Sequence, residues 1–414
     1  MYDEVVGLLV SEGIEFIYTA EKFLIELERK YTKFSSLHFE VTTNEKIAYE
    51  MAFATSIVKK SAAFVTTNRS VFESLDPMMS SVYMGVLGGM LIISVRDTEH
   101  DLSFLGPFAK IPIIVEGNVK NYRDAISFGM SISKKYEIPV LVELDVTSLP
   151  QNINHGIQCE IKQDEKGTRA CAEFVKDTTR WAATPNFRYT LHVLLNEKIE
   201  KIREEFETYP RNITRINGNT GFITYREAAL DLLKDDFSTL FLSTVYPLPK
   251  KLVSEFIKEM EEVFILSDPH SVLRFQLQNS REKIKSSLAE KSSFNGAFKK
   301  EERIHGYELV RDILGPASSM NMAHGIKKLS PEKNILAVTY EDHFFHSGIP
   351  AFINALYNGS DYHLLILCSK RESELVHFME NLDFHNYYFI NELSEIERYS
   401  DNKRLTVFLK KGGI

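Results

Sequence analysis

Apolar residues in this chain gather into short continuous runs separated by longer mixed stretches. AAFV (62–65), MLIISV (90–95), IPIIV (111–115) and PVLVEL (139–144) are runs of this kind. They suit strands covered on both faces, where no polar residue has to alternate with the apolar ones. Asn121 to Lys135 reads as a helix between the last two runs. Thr43 to Lys60 carries Ile47, Met51, Ala54 and Val58 at helical spacing, which predicts a helix with that apolar stripe. Strand–helix–strand repetition over residues 1–150 predicts a parallel sheet with helices on its faces.

The pattern changes after residue 150. Residues 151–215 begin with the polar stretch QNINHGIQCEIKQDEKG, predicted as loop, and continue into RYTLHVLLNEKIEKIREEFETY (188–209), a long amphipathic connector helix. Residues 216–285 form a second α/β pattern: GFITYREAALDLL, STLFLSTVYPLP, KKLVSEFIKEME and EVFILSD, with Pro247 and Pro249 at a turn into a helix. The Ser- and Lys-rich stretch 286–303 reads as a linker. Residues 304–414 give a third α/β pattern, with strand candidates NILAV (334–338), HLLIL (363–367), NYYFI (386–390) and LTVFL (405–409).

Composition narrows the function classes. The 414 residues carry a net charge of −8 and lack the basic stripe of a nucleic-acid binder. The longest apolar run, Val82 to Val95, is too short to span a bilayer, and the acidic N-terminus does not read as a signal peptide, so a cytoplasmic protein with no membrane partner is expected. The three cysteines, Cys159, Cys171 and Cys368, are far apart. They argue against a disulfide framework or a zinc site, and this chain alone has too few thiols for a four-cysteine iron–sulfur cluster.

Four stretches carry a family likeness: NEKIAYEMAFATS (44–56), RWAATPNFRYTLHVLLNEKIEKI (180–202), STVYPLPKKLVSEFIKEMEEVFIL (243–266) and HFFHSGIPAFINALYN (343–358). In this order they resemble the large subunit of indolepyruvate:ferredoxin oxidoreductase, one of the thiamine-diphosphate-dependent 2-oxoacid:ferredoxin oxidoreductases. The resemblance implies an α/β chain with two thiamine-diphosphate-type folds. A pyrimidine-binding-like domain would lie at 1–150, a connector at 151–215, a transketolase C-terminal-like domain at 216–285 and a shortened diphosphate-binding-like domain at 304–414. It also implies oxidative decarboxylation of aryl 2-oxoacids, thiamine diphosphate and Mg²⁺ as cofactors, and a homodimer or a hetero-oligomer with a family subunit.

Mapped residue by residue, the resemblance places Glu45 where the family glutamate hydrogen-bonds the aminopyrimidine ring and favours the imino tautomer that deprotonates the thiazolium. That work wants a carboxyl group in an apolar pocket. The local sequence offers a second reading of Glu45, as the far end of a capping box with Thr42. The two roles are compatible. In the diphosphate region the family has a Gly-Asp-(Gly/Ser) turn and a downstream asparagine that hold the metal. Here the turn reads Tyr340-Glu341-Asp342 and the asparagine position falls on Ser369. Glu341 and Asp342 are the candidate metal ligands, with Tyr340 and Ser369 facing the cofactor. The alternative is an acidic loop after a strand.

Other family features are altered. The Pro-Gly-Thr-Pro substrate loop appears as Tyr18-Thr19-Ala20-Glu21, the Cys-Pro-Gly-Cys motif is lacking, the closing loop reads as plain helix in RESELVHFMEN, and no cysteine-rich ferredoxin-like module follows. His343 and His346 read as structural, and Trp181 as an anchor for the connector. The expectation is a degenerate member, a pseudoenzyme with a subunit or regulatory role. The alternative is an active oxidoreductase or decarboxylase with an atypical metal site, dependent on a partner for electron transfer.

Overall fold

The computed structural model describes residues 2–31, 33, 37–96, 101–145, 174–181, 185–230, 237–266, 273, 276–277, 284–286, 304, 306–312 and 315–411. The polar stretch 151–167, Cys159, Cys171 and nearly all of the 286–303 linker lie outside them. The chain forms two compact units, Met1–Ser292 and Ser293–Ile414.

The first unit holds two sheets. The larger is built from β1 (Phe16–Thr19), β2 (His38–Val41), β3 (Ala62–Thr67), β4 (Met90–Arg96), β5 (Ile113–Glu116) and β6 (Val140–Asp145), all parallel, with β10 (Thr244–Tyr246) added antiparallel on the β5 edge. Every residue of β3, β4, β5 and β6 is buried, as their unbroken apolar runs predict. The smaller sheet runs β12 (Ile284–Ser286), β11 (Glu262–Leu266), β8 (Thr220–Thr224), β9 (Ser238–Phe241) and β7 (Ile213–Arg215), with only β7 antiparallel.

The helix Glu45–Ile57 forms where its spacing predicts, but on a different stripe. Its inward residues are Glu45, Ala48, Tyr49, Ala52 and Ser56, whereas Ile47 is exposed. Small alanines let the helix approach the flat face of β1 and β3 closely, and one large ring, Tyr49, fills the remaining space with its hydroxyl 2.6 Å from the Ser81 hydroxyl. The connector helix, Pro185–Glu207, lies against the first sheet's helices through Tyr83 to His192 at 2.9 Å and Tyr136 to Glu205 at 2.8 Å. Trp181 is held near its start, donating to the Val175 carbonyl at 2.8 Å.

Charged residues lock the two sheets of this unit together. Arg226, just after β8, reaches the carboxyl ends of the first sheet: it pairs with Glu143, with Asp145 at 3.3 Å and with Asp101 at 3.3 Å. Arg96 shares Glu143 at 3.4 Å. Arg96, Glu143, Asp145 and Arg226 are all buried, so each charge depends on the others for solvation.

The second unit has one fully parallel sheet in the order β13 (Glu308–Arg311), β14 (Ile335–Tyr340), β15 (His363–Cys368), β17 (Thr406–Lys411) and β16 (Tyr387–Ile390). Helices Ser318–Leu329, Ile349–Tyr357 and Glu372–Asn381 connect or cover the strands. Among the described residues no helix is long and apolar enough to cross a membrane.

Replacing Arg226 with methionine removes one of the two cations shared by Glu143 and Asp145, leaving both acids to Arg96 alone. Urea denaturation is expected to show a loss of about 3–5 kcal/mol. A loss under about 1 kcal/mol would contradict the interlock as described.

Candidate cofactor site

In a parallel sheet, ligands are met at the carboxyl ends of the strands, where loops and helix N-termini converge. Both units present such an edge, and the residues singled out from the sequence are divided between them.

In the first unit β1, β2 and β3 end side by side. Thr42 donates its backbone N–H to the Thr19 carbonyl at 2.7 Å, which fixes the turn into the helix that starts at Glu45. The helix is capped by Asn44, whose side-chain oxygen accepts from the Ile47 N–H at 2.9 Å. Thr42 is not the cap: its hydroxyl donates to the Thr19 and Asn44 carbonyls at 3.2 and 2.8 Å. Asn44 sits one residue before the helix and is the better placed of the two. The capping-box reading of Thr42 and Glu45 is therefore replaced by a cap at Asn44, and Glu45 is buried.

A second acid stands beside it. Glu21 follows β1 and accepts from the Thr67 N–H at 3.2 Å, at the end of β3. Burial pushes its carboxyl above the usual range. Hydrogen bonds from Ser70 and Thr67 oppose the shift, and the Glu45 charge adds to it. Glu21 was absent from the sequence-based candidates. Its one signal was an acid in place of a Pro-Gly-Thr-Pro loop.

In the second unit the structure brings Glu341 and Ser369 together, although 28 residues separate them. Glu341 follows β14 and Ser369 follows β15, its neighbour in the sheet. The Glu341 carboxylate, 3% exposed, accepts from the Ser369 hydroxyl, from the Lys370 N–H at 2.7 Å and from the Arg371 N–H at 3.0 Å. Burial alone would raise its pKa. The Ser369 hydroxyl and the backbone N–H groups outweigh that and hold it below the usual carboxylate range. Asp342 is exposed, and Tyr340 is 54% exposed with its ring edge-on to His343.

Asp312 repeats this arrangement one strand over. It accepts from the Thr339 hydroxyl at 2.6 Å, from His343 Nδ1 at 2.8 Å and from the Ser319 N–H at 3.0 Å. Burial raises its pKa, and the His343, Ser319 and Thr339 hydrogen bonds overcome that and lower it. His343 is thereby occupied in holding a loop. The intervening turn, Phe344–Gly348, is π-helical, and Gly348 is closely packed. A Cβ there would lie 3.1 Å from the Phe344 ring and 3.2 Å from the Ala317 methyl. Buried Cys368 has its thiol pushed up to about 12, by burial first and then by the Glu341 and Glu372 charges, so it is no nucleophile.

These residues do not fit a Mg²⁺–diphosphate group as they stand. A carboxylate offers about four lone-pair directions, and three of those on Glu341 are taken by protein donors. Ser369 donates its hydrogen to Glu341 rather than joining it as a second oxygen ligand. Among the described residues no three His, Cys, Asp or Glu side chains converge as a metal ion would need.

Comparison with known proteins adds an independent line. Indolepyruvate oxidoreductase subunit IorA of Pyrococcus abyssi is 23% identical over 438 residues, covering 80% of this chain and 67% of that protein. The same subunit of Archaeoglobus fulgidus is 22% identical, covering 80% of this chain and 66% of its own length. This chain is a distant relative of IorA. The Pyrococcus horikoshii IorA is 27% identical over 263 residues, 59% of this chain but only 40% of that protein, so the chain spans between two fifths and two thirds of these relatives. No protein-family model matches it. Among solved structures, the 2-oxoglutarate:ferredoxin oxidoreductase of Magnetococcus marinus, with 2-oxoglutarate, coenzyme A and succinyl-CoA bound, superposes with a TM-score of 0.50 at 11% identity, covering 69% of this chain and 61% of that one. At that identity the likeness concerns the fold alone, and it agrees with the α/β architecture of mostly parallel sheets.

Replacing Glu341 with glutamine removes the charge while keeping the shape. The native carboxylate has a depressed pKa, so its stabilisation is present above the ordinary carboxyl value of 4.5 and is lost as pH falls through the lower folded value. Glu341→Gln is expected to cost about 1–3 kcal/mol at pH 7. It should also flatten the fall in thermal midpoint on acidification below that value. An unchanged midpoint and an unchanged acid slope would contradict the hydrogen-bond assignment.

Proposed function

We propose that this chain is a non-autonomous subunit of a thiamine-diphosphate-dependent 2-oxoacid oxidoreductase, acting on aryl 2-oxoacids as the relationship to IorA suggests. In this reading it keeps the fold and the pyrimidine-facing half of the site, including Glu45. Its own diphosphate half has become a structural, metal-free loop clamp. The observation that carries the reading is the Glu341–Ser369 contact, with Lys370 and Arg371 completing it. At the family's metal-binding positions, hydrogen bonds from protein donors stabilise the charged acid where a divalent cation would have done so.

The buried Glu45 carboxyl and the neighbouring Glu21 support a retained role for the first unit. A partner chain with an intact metal motif would supply the other half-site and the iron–sulfur clusters, and this chain would complete or regulate it. The curated relatives are named as subunits, which fits an assembly.

Purification from the native cells tests this. The expected result is a complex containing a second oxidoreductase subunit, in which Glu45→Gln lowers arylpyruvate oxidation by about 10²–10⁴-fold, the usual range for losing a proton-handling group. A monomer with no such subunit attached, or arylpyruvate turnover by this chain alone with thiamine diphosphate and Mg²⁺, would overturn it.

A further inference from the structure

The first unit contains a pocket of about 630 Å³, well within the range of small-molecule sites, that plays no part in the reading above. It lies between the helix Leu75–Met84, the short helix Thr178–Trp181 and the connector helix Pro185–Glu207. Of its lining residues, Met84 precedes β4 and Glu137 precedes β6. The pocket is therefore at the amino edge of the first sheet, opposite the edge that carries Glu21 and Glu45.

One wall is apolar, formed by Val82, Phe187, Leu191 and Leu195. The other presents two cations. Arg180 is fixed in place: Nε donates to the Met84 carbonyl at 2.9 Å, and the guanidinium pairs with Glu137 at 2.8 Å. Lys198 Nζ donates to the Glu137 backbone carbonyl at 3.3 Å. The two cationic groups stand close together. A Cβ built on Gly85 would lie 3.0 Å from Arg180 Nη2 and 3.5 Å from Lys198 Nζ. Gly85 itself has a φ of +76°, and its lack of a side chain leaves room for this pairing.

Among the described residues no carboxylate of the lining pairs with Lys198. Glu137 answers Arg180, and Asp177 spends its Oδ1 on the N–H groups of Thr179 and Arg180 and on the Thr179 hydroxyl. Glu197 and Lys201 are exposed at the rim and offset each other. Lys198, half-buried, has a backbone carbonyl and no paired carboxylate among the described residues. Burial first, and then the Arg180 charge, push its ammonium below the usual lysine range, with Glu137 opposing. An ammonium with three donors, one backbone acceptor among the described residues and a cationic neighbour is poised for an external anion.

We infer that this pocket binds an amphipathic monoanion, an aryl or alkyl carboxylate, with its carboxylate between Lys198 and Arg180 and its apolar body against Val82, Phe187, Leu191 and Leu195. The site is separate from the Glu45 edge and does not depend on the function proposed above.

The test uses 2-naphthoate, its neutral analogue 2-naphthamide, and the full chain with and without Lys198→Met. The expected result is one-to-one calorimetric binding of 2-naphthoate, with the amide at least tenfold weaker and Lys198→Met erasing the preference. On the wild-type chain, 2-naphthoate should also slow reductive methylation of Lys198, read by mass spectrometry, without slowing that of exposed lysines. That readout stands even if the variant does not fold. No binding of 2-naphthoate, equal binding of acid and amide, an unaltered preference in Lys198→Met, or no protection of Lys198 would each overturn the inference.

Discussion

A carboxylate buried at the end of a strand must be given hydrogen-bond donors or a cation, because leaving it bare costs several kcal/mol. Glu341 sets that condition for the second unit, and the chain meets it with donors. The Ser369 hydroxyl and the N–H groups of Lys370 and Arg371 converge on it, fixing the loop after β15 and the start of the helix Glu372–Asn381. Asp312 answers the same demand beside it with Thr339, His343 and Ser319. Two acids thus tie together the loops that a ligand-binding edge would otherwise hold open.

The first unit resolves its buried acids in two ways. Where the two sheets meet, Arg96 and Arg226 neutralise Glu143 and Asp145, and the result is a rigid interlock. At the edge bearing Glu45, Glu21 is raised by burial and by the Glu45 charge, with hydrogen bonds from Ser70 and Thr67 opposing. A carboxyl raised by burial and a neighbouring like charge is a feature of functional sites, whereas one saturated with donors holds structure. By that criterion Glu21 marks the first unit's edge as a candidate for chemistry, and Glu341 and Asp312 hold loops in the second.

Much of the fold was legible because strands buried on both faces leave unbroken apolar runs, as in MLIISV and HLLIL. The short strands β1 and β2 left no such run. The placement of β10 against β5 is a long-range pairing that local pattern cannot reveal. The stripe of the helix Glu45–Ile57 was misread because close packing on a sheet favours alanine over larger apolar residues, and spacing alone ranks Ile47 above Ala48. The pairing of positions 341 and 369 was visible only through family resemblance. The direction of the Ser369 hydroxyl, which changes the chemistry of the pair, depends on side-chain geometry that no spacing encodes. The Arg180–Lys198 pocket left no motif, since its cations come from two helices and its opening from one glycine.

The central claim is that protein donors have taken the place of the metal at Glu341. Calorimetric titration of the purified chain with thiamine diphosphate, in the presence and absence of Mg²⁺, tests it most directly. The account predicts no Mg²⁺-dependent binding. A micromolar isotherm that appears only with Mg²⁺ would mean that Glu341 and Asp342 release their present environment to form a metal site, and would contradict it.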